Sequence, residues 1–182
     1  MNADDNKIIE LSKTKLCWLV AASMVFVMMG LWMLRLAVTD LAPQRAYNHP
    51  VLMHGLGIVM ILFFGFCAVV GIKKLLDKKP GLVLNSAGIL DNSSGVAAGF
   101  VPWSEITGFS IFEMQSQKML VISLREPGPY IMAGGVIQRL LNKMNYKLCG
   151  SPVVISANSL KLNFDELLEI SQSYLRKYGK NN

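Results

Sequence analysis

Two long stretches without a charged residue govern what this chain can become. Leu16 to Leu34 (LCWLVAASMVFVMMGLWML) runs nineteen residues and Val51 to Ile72 (VLMHGLGIVMILFFGFCAVVGI) twenty-two. A helix rises about 1.5 Å per residue and a bilayer's hydrocarbon core is about 30 Å thick, so each stretch is long enough to cross. Core helices in a chain of 182 residues seldom run so far without a polar face. A cleaved signal peptide fits the first block poorly: it is longer than an h-region, Arg35 follows at once, and no A-x-A site is present there. The pattern predicts a transmembrane helix over 16–34, an external loop over 35–50 and a second transmembrane helix over 51–72.

The charges orient this hairpin. Close to the membrane lie Lys7, Lys13 and Lys15 before the first span, Arg35 and Arg45 in the loop, and Lys73, Lys74, Lys78 and Lys79 after the second. Basic residues near span ends stay on the cytoplasmic side, while acidic ones count for little. Both termini are therefore expected in the cytoplasm. Residues 1–15 read as a polar cytoplasmic lead-in, 73–79 as a basic juxtamembrane linker, and 80–182 as a cytoplasmic domain. Of the net charge of +6, residues from 73 onward supply +5, thirteen Lys and Arg against eight acids. Cys17, Cys67 and Cys149 have no disulfide or zinc spacing and read as free thiols.

Within the second span, Gly57, Gly65 and Ala68 fall near one face, which is expected to pack on the first span or on another copy of the chain. Met24, Met28, Met29 and Met33 are read as apolar packing residues, since no His, Cys or carboxylate joins them at matched depth. His54 is expected at the outer interface.

From Pro80 the pattern changes to that of a folded domain. GLVLNSAGIL reads as strand, glycine-bearing turn, strand, and LDNSSGVAAG as a loop. FVPWSEITGFSIFEM reads as one strand-like run with Pro102 at an edge or bulge, and KMLVISLREP as another strand. A helix is expected from Pro129 to Leu148, with Ile137, Leu141, Met144 and Leu148 on one face. SPVVISANSLKLN reads as strand with turn. The last element, NFDELLEISQSYLRKYG, has an N-cap at Asn163 with Glu166 three residues on, acids early, Arg176 and Lys177 late, and Gly179 after them. Its apolar face, Leu167, Ile170, Tyr174 and Tyr178, must bury against the strands. The predicted fold class is a two-helix transmembrane hairpin plus an α+β soluble domain of antiparallel strands closed by a C-terminal amphipathic helix.

Three segments, KKPGLVLNSAGILDNSS, GFVPWSEITGFSI and NFDELLEISQSYL, resemble parts of small bacterial inner-membrane proteins that carry two N-terminal spans and a pleckstrin-homology-like (PH-like) domain. The first resembles the opening hairpin of such domains, the second their strand with a W-x-x-I core, here Trp103 and Ile106. The resemblance covers roughly residues 80–178 plus the two-span layout. It implies a PH-like fold and a bacterial inner-membrane location. The helix over 129–148 is an addition to the simplest such pattern.

Catalytic residue types are sparse. The two histidines, His49 and His54, both fall in the membrane part, and nucleophile-elbow, zinc-protease, C-x-x-C and P-loop motifs are absent from the sequence. No enzyme activity, cofactor or metal is therefore expected. Two basic clusters are the candidate contacts for a membrane surface or a partner: Lys73, Lys74, Lys78 and Lys79 at the junction, and Arg139, Lys143 and Lys147, spaced by four along one helix side. No nucleic-acid-binding motif accompanies them. The expected function is a non-enzymatic integral membrane protein whose cytoplasmic domain binds an unknown protein partner or the anionic membrane surface. The alternatives are an immunity-type protein that neutralises a toxin at the membrane, or an accessory subunit of a larger membrane complex.

Overall fold

A computed structural model describes residues 6–38 and 50–179. The chain divides into a helical unit, Lys13–Asp77, and a β-rich unit that joins residues up to Ser12 with those from Lys78 onward.

The helical unit is an antiparallel pair, α1 (Lys13–Val38) and α2 (Pro50–Leu76). Both are long and apolar enough to span a membrane, over Lys13–Arg35 and Leu52–Leu76, roughly 34 Å and 37 Å of helix. Only 11% and 17% of their most apolar windows are buried. Core helices of a water-soluble fold would be mostly covered; here the apolar surface points outward almost all round, as lipid requires. The two helices meet through glycine. A Cβ on Gly30 would fall 3.0 Å from the Gly57 carbonyl oxygen, and one on Gly57 would fall 3.1 Å from that of Gly30. Without side chains there, the backbones approach closely enough for Phe26 and Phe64 to stack, ring centroids 4.3 Å apart. Buried Ser23 returns its hydroxyl to the Leu19 carbonyl.

Gly57 therefore faces α1, Ala68 is buried, and Gly65 opens on empty space. Of the three small residues expected to pack on the first span or on another copy, Gly57 packs on the first span, Ala68 is buried within the chain and Gly65 does neither. Helix α2 also runs further than the expected boundary at 72. Lys73 and Lys74 form its last turn, where cations oppose the helix dipole, and Lys74 pairs with Asp77 at 3.7 Å. The loop expected over 35–50 lies mostly outside the described residues, Arg45 and His49 with it; residues 35–38 continue α1 and Pro50 opens α2.

The β-rich unit contains two antiparallel sheets. The first has the order β1-β2-β3-β4: β1 (Lys7–Ile9), β2 (Leu82–Leu84), β3 (Gly88–Asp91) and β4 (Gly99–Pro102). The second has the order β5-β6-β7: β5 (Ile106–Met114), β6 (Gln117–Leu124) and β7 (Val154–Ser156). Two helices, α3 (Gly128–Ile131) and α4 (Val136–Cys149), lie between β6 and β7, and α5 (Phe164–Tyr178) closes the chain and packs on β5 and β6.

Strand β1 corrects the expected lead-in over 1–15. Lys7, Ile8 and Ile9 pair with Leu84, Val83 and Leu82. Beyond it, Leu11 bridges to Leu160, the Ser12 amide donates to the Ser159 carbonyl, and the Lys161 amide donates to that of Glu10. Ile9 and Leu11 are buried in the domain core. Residues before the first long helix thus complete a sheet whose other strands all follow the second.

The run read as one strand from Phe100 to Met114 is two strands in different sheets. Between them Trp103–Glu105 forms a single 3-10 turn. Its cause is Trp103, whose ring is buried and whose indole Nε1–H donates to the Asn85 carbonyl at 2.8 Å, while its amide donates to Ala87. Asn85 meanwhile accepts from the Ala87 and Gly88 amides and tightens the β2–β3 turn. The indole therefore ties the switch between sheets to the first hairpin. The W-x-x-I pair is core: Trp103 and Ile106 are both buried, with Leu82, Leu84, Ile89, Val101, Leu120, Ile122, Ile155 and, from α5, Leu167. Each such side chain contributes about 1.5–3 kcal/mol on burial. Helix α5 starts in a full capping box, Asn163 accepting from the Glu166 amide and the Glu166 carboxylate from the Asn163 amide.

Candidate functional site

The helix expected over 129–148 is broken. Pro129 sits in the first turn of α3, and α4 begins after Gly134, whose φ of +77° ends the first helix in a conformation that favours glycine. Gly150, at φ +76°, closes α4 in the same way.

How α4 is held is the unexpected part. Its inward side is largely polar. Asn142 is buried and donates to the Tyr130 carbonyl at 2.8 Å, Gln138 donates to Ala97 at 3.1 Å, and Asn145 reaches the Pro152 carbonyl. Burial, and after it the charge of Glu105, pushes the Tyr130 hydroxyl above its usual range; burial alone raises the Cys149 thiol. The outward side carries Val136, Ile137, Leu140, Met144 and Leu148, all exposed. Of the apolar face expected from the sequence, Leu141 alone is partly covered. Arg139, Lys143 and Lys147 are exposed beside this stripe, Arg139 with its Nε donating to the Gly134 carbonyl.

The two predicted basic clusters fall in three places. Lys73 and Lys74 end α2 in the helical unit, Lys78 and Lys79 open the β-rich unit as exposed side chains, and Arg139, Lys143 and Lys147 form a row on α4. The sequence placed Ile137, Met144 and Leu148 on an apolar face of this helix; their exposure, with that of Val136 and Leu140, was not expected. One signal was present: residues 127 to 164 contain no Asp or Glu, so nothing there balances the cations.

Other polar groups in the β-rich unit have structural tasks. Asp91 is buried; one carboxylate oxygen accepts from the Ser93 amide and hydroxyl and the other from the Ala98 amide, which ties down the 92–98 loop. Among the described residues, no group of three His, Cys, Asp or Glu side chains is placed to hold a metal ion. In the helical unit, an open and mostly apolar groove lies against Lys13, Cys17, Trp18, Ala21 and Leu75.

Comparison with protein-family models, with curated proteins and with solved structures finds no match to this chain.

Proposed function

We propose that this is a non-enzymatic protein anchored in a bacterial inner membrane by α1 and α2. In this reading it carries on the cytoplasmic face a PH-like domain that binds a protein partner or the anionic membrane surface. The anchoring is carried by the two long, largely uncovered apolar helices, and its topology by the pairing of β1 with β2. One strand precedes α1 and the other follows α2, and strands cannot hydrogen-bond through a bilayer. If α1 and α2 span, they span as a pair and return the chain to the side it left. Lys13, Lys15, Lys73 and Lys74 at that end of the pair, facing Arg35 at the other, favour the cytoplasm for it.

The PH-like reading is supported by four strands in one sheet, three in the next and a closing helix packed on β5 and β6. A binding role is supported by α4, which leaves Val136, Leu140 and Leu148 exposed beside the exposed Arg139, Lys143 and Lys147. Reporter fusions after Asn182 and before Met1 test the anchoring. Green fluorescent protein is expected to fluoresce, and alkaline phosphatase to stay inactive, at both ends. Phosphatase activity at either end overturns it.

A further inference from the structure

Helix α4 is mounted with its apolar side outward. Val136 is 84% exposed, Leu140 60% and Leu148 62%. From Ile137 the stripe continues at Leu140, Met144 and Leu148, steps of three, four and four that keep it on one helical face. Polar Gln138, Asn142 and Asn145 do the holding. A soluble helix normally buries such a stripe, and a contiguous exposed one marks an interface. Arg139, Lys143 and Lys147 run along one margin with spacing i, i+4, and no acid from 127 to 164 offsets them.

We propose that α4 is an interfacial helix that docks on the anionic lipid surface of the membrane in which the chain is anchored. Ile137, Leu140, Met144 and Leu148 sink to the boundary between headgroups and acyl chains, and Arg139, Lys143 and Lys147 pair with lipid phosphates. This rests on the anchoring proposed above. Two features favour lipid as the occupant. The stripe and the cationic row share one exposed side, the combination that selects anionic bilayers. The chain also passes from α2, which ends at Leu76, to β2, which begins at Leu82, through residues 77–81 alone, so a tether this short holds α4 at a high effective concentration near the surface. A contact too weak to recruit a free protein then suffices to orient a tethered one.

The test uses the full chain, with Cys17, Cys67 and Cys149 replaced, in nanodiscs of phosphatidylcholine with or without phosphatidylglycerol. Nitroxide labels go on single cysteines: Ile137→Cys, Leu140→Cys, Met144→Cys, Leu148→Cys, Arg139→Cys, Lys143→Cys, Lys147→Cys and, as a reference on α2, Leu62→Cys. Collision with oxygen against a water-soluble nickel complex reports depth. With phosphatidylglycerol, labels at 137, 140, 144 and 148 are expected to be oxygen-rich and nickel-poor and those at 139, 143 and 147 the reverse. Without it the contrast shrinks. Joint Arg139→Ala, Lys143→Ala and Lys147→Ala should lower the docked-to-free ratio read at Leu140→Cys on the order of a hundredfold.

Nickel access at 140 and 144 in anionic discs, with Leu62→Cys still lipid-embedded, overturns the docking and leaves the anchoring standing. Nickel access at Leu62→Cys overturns both. Shielding of 140 in native membranes but not in pure anionic lipid assigns the stripe to a protein partner and overturns the lipid proposal.

Discussion

Replacing Ile9 with Ala should strike the β-rich unit from a point 73 residues before the start of its second strand at Leu82. Ile9 is 6% exposed, lies opposite Leu82 in the register and joins the core that Leu11 also enters. Truncating a buried Ile to Ala costs about 2–5 kcal/mol. Because β1 is a three-residue edge strand, the site can partly collapse, which places the cost near the lower end, about 2–3 kcal/mol. A domain of this size is stable by only about 5–15 kcal/mol. At roughly 4–8 °C per kcal/mol, the midpoint should fall by about 8–24 °C. Ile8 supplies the control. It is next in sequence, equally apolar, and 60% exposed because strand side chains alternate, so Ile8→Ala should stay within about 0.5 kcal/mol of the parent. The assay is temperature-stepped limited proteolysis of the full chain in detergent, following the fragment that contains α5. Indistinguishable midpoints for Ile8→Ala and Ile9→Ala would refute the reasoning, since a loose polar lead-in would make both silent.

Further substitutions probe separate parts of the same unit. Gly88→Ala places a Cβ onto the Val101 carbonyl oxygen and 2.8 Å from Pro102 Cα, so β3 and β4 must separate; a loss of about 3 kcal/mol or more is expected in the same melt. Ser116→Gly should stabilise by about 1 kcal/mol, because Gln115 and Ser116 hold φ of +50° and +62° in the two-residue β5–β6 turn, a conformation glycine adopts freely. Ser171→Ala should be neutral to stabilising by about 1 kcal/mol, since that fully buried hydroxyl has no hydrogen-bond partner among the described residues; destabilisation would reveal one.

What could be read from sequence, and what could not, follows the range of the interactions involved. The spans, the 82–91 hairpin, the buried Trp103 and Ile106, and the capping box of α5 are set by composition or by residues a few positions apart. Strand β1 is three residues, KII, between Asn6 and Glu10, and its strand character comes from Leu82–Leu84 across the whole helical pair. The switch from β4 to β5 was hidden because β-prone residues run through it without a break. The turn is imposed by an indole bond to Asn85, eighteen residues back. For α4 the spacing revealed an amphipathic helix but not which side is covered. Hydrogen bonds from Gln138, Asn142 and Asn145 to distant carbonyls, rather than burial of Ile137 or Leu148, decide that.

The central claim is that a strand before the two long helices pairs with one after them, so that both ends of the helical pair enter one domain. Its most direct test is a disulfide between directly opposed positions, Ile8→Cys with Val83→Cys, in a chain whose three native cysteines are replaced. Mild oxidation of isolated membranes should yield an internally crosslinked monomer of altered gel mobility. Ile8→Cys with Leu90→Cys, one strand further away, should stay uncrosslinked. No crosslink between positions 8 and 83, or equal crosslinking at 90, would contradict the account.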